Sequence, residues 1–351
     1  MCTIDADCKT SEPDNVVPQT LPANLRGINI IYNGEKSATL KPSLFERYSN
    51  LTSVTISGRA ITSIKENTFV SLKHLECLSI YKTTINDFPQ QFLPPQSDIE
   101  FIDFGNNLLT DIPSGIFRNL PALTHLDLGF NHIAHNSCTT IGEEFTNLSK
   151  LTELDLSNMT IPNECKSNVP DDFFLPLHRT VTYLNLTISN IYQGSQAIFA
   201  NFTNFETLDI SIAKRFTSCP ADAEELFLNL PKTLKQLVFR RWRTNRDMNE
   251  TCIVTNKTLR GLRELPYLAT IDTLFSDFMF GEVLNKSVFA GFQSLKNLNI
   301  GYNRFALIED DAFYGCLNLT LLHIDGNSLG SRPFKLFQNR SQSNLCYLST
   351  R

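Results

Sequence analysis

The chain has 351 residues and a formal net charge of −5 with both signs interspersed. That balance gives no footing for a nucleic-acid or anionic-membrane partner. No run of about 18 apolar residues occurs, so no segment is predicted to span a bilayer.

In chain order, the first segment is Met1-Cys2-Thr3-Ile4-Asp5-Ala6-Asp7-Cys8. It lacks the basic start and apolar core of a signal peptide, and Met1 directly before Cys2 reads as a start residue placed on a mature secreted sequence. Residues 1–24 are predicted to form a small N-terminal cap closed by a Cys2–Cys8 bridge.

From Leu25 onward the template L-x-x-L-x-L-x-x-N recurs. It is clearest in Leu123-Thr-His-Leu126-Asp-Leu128-Gly-Phe-Asn131, in the run from Leu295 through Leu298 and Ile300 to Asn303, and in the run from Leu319 through Leu322 and Ile324 to Asn327. Weaker copies start at Leu25, Leu51, Leu75, Ile99, Leu151, Val181, Phe205, Leu234, Leu268 and Leu345. The regular spacing is 24 residues, with longer gaps around Leu151 and Leu234. Positions 4 and 6 fall on one face of a short strand and are expected to point inward. The Asn at position 9 is expected to satisfy backbone groups of a neighbouring turn.

A later Phe (Phe45, Phe69, Phe117, Phe145, Phe199, Phe289, Phe313 and Phe337) fills the opposite side, which accounts for 26 Phe beside a single Trp. One coil cannot bury its own apolar face, so stacked coils must share a core. An ordinary βαβ protein would need helices of about ten or more residues between strands, and the Pro/Asn/Ser-interrupted intervals do not supply them. The prediction is an α/β solenoid: a leucine-rich-repeat horseshoe with a parallel concave sheet, and loops with short 3-10 or helical turns on the convex side. Residues 25–351 hold about thirteen repeats. The last is incomplete and no C-terminal cap follows, so the chain is expected to be a fragment.

The register also constrains the nine cysteines. Cys138 and Cys165 fall at matching places in adjacent coils, close enough for a disulfide, and Cys219 and Cys252 pair by the same logic. Cys316 replaces an inward Leu and reads as a buried small hydrophobe. Cys77 and Cys346 sit at outward strand positions with no evident role. Ten Asn-x-Ser/Thr sequons occur, at Asn50, Asn147, Asn158, Asn185, Asn201, Asn249, Asn256, Asn285, Asn318 and Asn339. Such a density points to an oxidising, glycosylated, secretory setting; the alternative is a set of unmodified Asn-rich turns.

The Cys-bounded start, the 24-residue repeats with Phe-x-x-Leu, the irregular lengthened repeats and the dense sequons together resemble the extracellular part of a Toll-like receptor. The resemblance covers essentially the whole chain. It implies an innate immune pattern-recognition ectodomain that binds a microbial or protein ligand and forms a receptor homo- or heterodimer. That ectodomain would lie outside the cell or in the endosomal lumen, joined to a single-pass membrane segment beyond this chain. The competing expectation is a secreted or cell-surface adhesion or matrix protein that binds another protein constitutively.

Three surface features are candidate sites. Position 5 carries Asp103, Asp127, Asp155, Asp209 and Asp272, an acidic stripe that could equally be plain solvated aspartates. Asn185 at position 5 and Asn158 at position 8 would put glycans over the strand face and favour binding at an edge. Arg240, Arg241, Trp242 and Arg243 occupy positions 7 to 10 of one repeat, and Lys214 and Arg215 lie on its upstream neighbour. These cations could hold a phosphate- or sulfate-bearing ligand by Arg forks and Trp stacking, or form a solvated ridge. Phe130 and Tyr302 at position 8 are weaker candidates. His132 and His135 lack matched ligands, so no metal is expected. No nucleophile elbow, phosphate loop or dinucleotide fingerprint appears, and neither an enzyme activity nor a cofactor other than N-linked glycans is expected.

Overall fold

The computed structural model describes residues 4–94, 97–135, 139–141, 143–162, 165, 169–189, 196–211, 227–241, 257–276, 282–330 and 347–349. The chain divides into two compact units, Met1–Asn185 and Leu186–Arg351. Each is a parallel solenoid built to the repeat rule read from the sequence.

In the first unit, strands Ala6–Thr10, Gly27–Tyr32, Ser53–Ser57, Cys77–Tyr81, Phe101–Asp103, His125–Asp127, Glu153–Asp155 and Tyr183–Asn185 pair in chain order. The pairing is parallel and in repeat register, so Ile28, Val54, Leu78, Ile102, Leu126, Leu154 and Leu184 form one row. In the second unit the row is Leu208, Leu237, Ile271, Leu298 and Leu322. These position-4 residues are all buried, as are Leu128 and Ile300 at position 6. A parallel ladder of three to six residues is short for a strand, yet each backbone edge is satisfied by the next coil, so no strand must be stable alone.

Among the described residues, the segments between these strands include turns, 3-10 segments at Pro42–Leu44, Glu143–Phe145, Leu175–Leu177 and Gln196–Phe199, an α-helical turn at Arg260–Arg263, and two short strand pairs, Ala38–Leu40 with Ile61–Ile64 and Val283–Leu284 with Leu307–Ile308. Phenylalanines pack there as expected. Phe45 and Phe69 pack with ring centroids 4.9 Å apart, and Phe289 and Phe313 stack at 6.1 Å. Phe337 lies outside the described residues.

The position-9 Asn is a backbone clamp. Asn131 is buried, and its Nδ2 donates to Phe104 O (2.8 Å) and Leu128 O (2.9 Å) while its Oδ1 accepts from Leu109 N (3.0 Å). One amide thereby satisfies groups from two coils that water cannot reach. Asn107 makes the equivalent bonds to Ile80 O and Phe104 O, and Asn327 to Ile300 O and Ile324 O.

The cysteine expectations need two corrections, at Cys8 and Cys77. Cys8 carries a free thiol, so the expected Cys2–Cys8 bridge is not formed. Cys8 belongs to the strand Ala6–Thr10, opposite Ile30. Strand alternation makes Ala6, Cys8 and Thr10 less exposed than Asp7 and Lys9 between them. Cys8 therefore helps cover the end of the first coil as a small apolar group, and burial with neighbouring Asp7 raises its thiol pKa. Cys165 is buried and disulfide-bonded, with Cys138 outside the described residues. Cys77, placed outward by the register, is in fact buried and disulfide-bonded. Cys316 is fully buried, its Sγ contacting Phe289 O at 3.3 Å. Cys2, Cys219, Cys252 and Cys346 lie outside the described residues.

Candidate functional site: an aromatic and cationic ridge at the strand exits

In the second unit the coils leave their strands through position 8, and there the described residues adopt a left-handed backbone: φ is +58° at Arg241, +59° at Phe275, +54° at Tyr302 and +67° at Gly326. The twist turns the chain sharply and presents the backbone N–H to the following coil. Arg241 N donates to Leu274 O (2.9 Å), Phe275 N to Gly301 O (3.1 Å) and Tyr302 N to Asp325 O (2.8 Å). Successive position-8 side chains are thereby held in a row. Non-glycine residues pay strain in this region of φ, and the inter-coil bond offsets it.

In the second unit that row is chemically distinctive. The Phe275 and Tyr302 rings stack with centroids 4.4 Å apart and planes 28° apart, and the Arg241 guanidinium lies 5.9 Å from the Phe275 centroid. Tyr302 is 43% exposed and Arg241 is exposed, so the row is a surface, not core. Gly326 completes it. A Cβ there would lie 2.4 Å from the Tyr302 ring, so only glycine lets the ring rest against the next coil's backbone. A rigid aromatic pair with an adjacent guanidinium is the composition that carries most energy at protein interfaces.

The structure separates the two leading arginines of the predicted patch. Arg241 joins the ridge, but Arg240 turns to Asp272, Nη2 to Oδ2 at 2.5 Å, and its backbone N donates to Ser211 Oγ at 3.0 Å. The hydrogen bond to Asp272 raises the Arg240 pKa, against desolvation that lowers it. Arg240 is thus already neutralised. Of the expected cationic patch, the described residues include Arg240 and Arg241, and a buried carboxylate claims Arg240. Trp242, Arg243, Lys214 and Arg215 lie outside the described residues. Phe275 was absent from the sequence candidates. Its signal was positional, since it occupies the same repeat position as Arg241 and Tyr302.

The position-5 aspartates have a structural role. Oδ1 of Asp103 accepts from Gly105 N, that of Asp127 from Gly129 N, and that of Asp155 from Ser157 N, each at 2.8 Å. Asp209 and Asp272 do the same in the second unit. Each carboxylate closes a local turn at the end of its own strand, and Asn299 replaces it with a neutral amide at 3.1 Å. Other oxygens are used between coils: Ser79 Oγ and Asn185 Nδ2 donate to Asp103 and Asp155, both at 2.6 Å. Burial together with Asp155 and Asp103 pushes the Asp127 pKa up to about 7, against the lowering effect of the Gly129 N–H.

Two expected glycan positions look different in three dimensions. Asn185 Nδ2 bonds Asp155, and Asn158 Nδ2 bonds Asn131 O, so the nitrogens that would carry glycans over the strand face are already used between coils. Asn50, Asn147, Asn201, Asn285 and Asn318 are exposed and lie away from positions 5 to 8. Asn249, Asn256 and Asn339 lie outside the described residues. Among the described residues, no group of three or more His, Cys, Asp or Glu is placed to hold a metal ion, and no helix is long and apolar enough to cross a membrane.

Comparison with known proteins agrees with the fold. The family model described as Leucine rich repeat matches residues 102–160 and 282–329. Osteomodulin of Rattus norvegicus is 24% identical over 202 residues, which is 50% of this chain and 46% of osteomodulin. Toll-like receptor 9 of Canis lupus familiaris is 24% identical over 216 residues, 56% of this chain and 20% of that receptor. A solved structure of the Drosophila Toll–Spatzle complex superposes with a TM-score of 0.57 at 18% identity, over 88% of this chain and 44% of the matched one. The chain therefore spans less than half of each of these relatives. It is a leucine-rich-repeat domain with homology both to Toll-like receptors and to small leucine-rich proteoglycans.

Proposed function

We propose that this chain is the ligand-recognising part of an innate immune receptor ectodomain, and that the Arg241–Phe275–Tyr302 ridge is its contact surface. The single observation that carries the reading is that ridge: two stacked rings and a guanidinium, held in a row by inter-coil hydrogen bonds, with Arg241 and Tyr302 exposed and Phe275 half-buried between them. A recognition surface of this type is preorganised, so little conformational entropy is lost when a partner docks. Homology to Toll-like receptors and fold likeness to Toll support a microbial or protein ligand, with dimerisation of the receptor. The setting is extracellular or the endosomal lumen, with membrane attachment through sequence beyond this chain.

The second reading, a secreted or cell-surface matrix protein, is favoured by the matches to osteomodulin, lumican and keratocan. One experiment separates the two. The glycosylated chain is screened for binding to microbial ligands and to fibrillar collagen, with sedimentation velocity run with and without each hit. The receptor reading expects a ligand-dependent dimer and at least a tenfold affinity loss in Tyr302→Ala. Collagen binding by a protein whose association state does not change would establish the matrix reading instead. A ligand whose affinity is unmoved by Tyr302→Ala would remove the ridge as the contact surface.

A further inference from the structure

A second surface stands apart from the ridge and does not rest on the receptor reading. The first three coils of the first unit enclose an open cleft of about 570 Å³, lined by Tyr32, Gly34, Gly58, Arg59, Tyr81 and Lys82 with their immediate neighbours. That volume is within the range of small-ligand sites. The lining contains no acidic side chain.

The cleft exists because these coils break the repeat's own rule. Where later coils place a buried clamp Asn at position 9, the second coil has Arg59, and its position 8 is Gly58. Gly58 has φ +146°, and a Cβ there would lie 2.3 Å from Tyr32 O. A Cβ on Gly34 would lie 2.3 Å from the Tyr32 hydroxyl. Both glycines therefore pack their backbone directly against Tyr32 and put no side chain of their own into the cleft. Tyr32 itself is a fixed floor: it is 2% exposed, and its hydroxyl donates to Lys36 O at 2.7 Å.

The rim is cationic. Arg59 and Lys82 are both exposed, and among the described residues neither forms a salt bridge with a carboxylate. Lys82 Nζ rests 5.4 Å from the centre of the Tyr81 ring. This differs from Arg240, whose charge is answered by Asp272. Two unanswered cations at the rim of a cleft with no carboxylate make a local positive field in a chain of net charge −5. The guanidinium offers a planar fork for two oxygens, the ammonium a point charge, and the half-buried Tyr81 ring a flat apolar surface.

We propose that this cleft binds a small tetrahedral oxyanion ester, a sulfate or phosphate group carried on a ring, with Arg59 and Lys82 holding the anion and Tyr81 contacting the ring. The test is calorimetric titration of the whole chain with four probes: a sulfated heparin disaccharide, its unsulfated counterpart, adenosine monophosphate and adenosine. The expected result is binding of at least one anionic probe and of neither neutral one. The sulfated sugar and the nucleotide distinguish the two sources of the anion. Arg59→Gln with Lys82→Gln should weaken that binding at least tenfold and flatten its salt dependence, while the melting temperature stays unchanged because both side chains are exposed. Gly58→Ala, which intrudes on Tyr32, should weaken binding without altering charge. Three results would overturn the proposal: no anionic probe bound at about 1 mM, neutral and anionic probes bound alike, or full affinity in the double variant.

Discussion

The Arg240 guanidinium and the Asp272 carboxylate are a matched pair, 2.5 Å apart, joining adjacent coils of the second unit. Asp272 is buried while Arg240 reaches it from the surface. Its Oδ1 also closes the turn to Leu274 N at 3.1 Å. The pair thus anchors the coil that carries Phe275.

Arg240→Ala should therefore act on stability. It strands a buried carboxylate, which costs about 1–3 kcal/mol, readable as a lower urea midpoint. Sequence alone reads Arg240, Arg241 and Arg243 as one solvated basic run, whose replacement would leave the melting temperature nearly unchanged. The structure corrects this for Arg240. Arg241→Ala, by contrast, should leave the unfolding free energy within about 0.5 kcal/mol of the parent and weaken ligand binding at the ridge.

Gly326→Ala is the second prediction. The residue sits at φ +67°, and a methyl group there meets the Tyr302 ring at 2.4 Å. Left-handed strain alone costs about 1–2 kcal/mol, and the ring must also move. A lower melting temperature together with loss of ridge binding is expected. A variant that melts like the parent would show that Tyr302 is not seated as described.

The third prediction concerns pH. Asp127 has its pKa pushed up to about 7 from an ordinary value of 3.8, chiefly by burial and then by Asp155. A carboxyl raised in the folded state binds its proton more tightly there than when unfolded. Its contribution is neutral below pH 3.8, destabilises increasingly as pH rises toward 7, and is constant above that. Asp127→Asn removes the charge but keeps the acceptor for Gly129 N, as Asn299 does for Gly301 N. The variant should melt higher than the parent at pH 8 and match it near pH 4. Identical melting curves at both pH values would contradict this assignment.

Asn131→Ala tests the clamp. The change leaves Phe104 O, Leu128 O and Leu109 N without their side-chain partner in a buried place. A loss of about 2–4 kcal/mol is expected by denaturant titration, since unmet buried polar groups cost about 1–3 kcal/mol each and neighbouring groups partly compensate. Asn131→Asp should be nearly as harmful, because a carboxylate cannot donate to the two carbonyls.

The repeat was legible because it obeys a local rule. Apolar residues at positions 4 and 6 must share a face, so Leu126 and Leu128 and the rows they join follow from spacing alone. The roles of Asn131 and the phenylalanine column follow as well, since position in a coil defines what each must touch. What spacing cannot express is which neighbour a side chain chooses. Arg240 and Arg241 are adjacent in the chain and equally basic, yet one turns to a buried carboxylate and the other lies near an aromatic ring. Phe275 becomes part of a surface only because Tyr302 stacks on it from the next coil, and Tyr302 fits there only because Gly326 lacks a side chain. Cys8 is a free thiol on the less exposed face of its strand, beside Ile30 of the next. Periodicity determines the stacking of coils, a one-dimensional property. Charge pairing, ring stacking and the acidity of Asp127 depend on distances between coils, which only the folded chain sets.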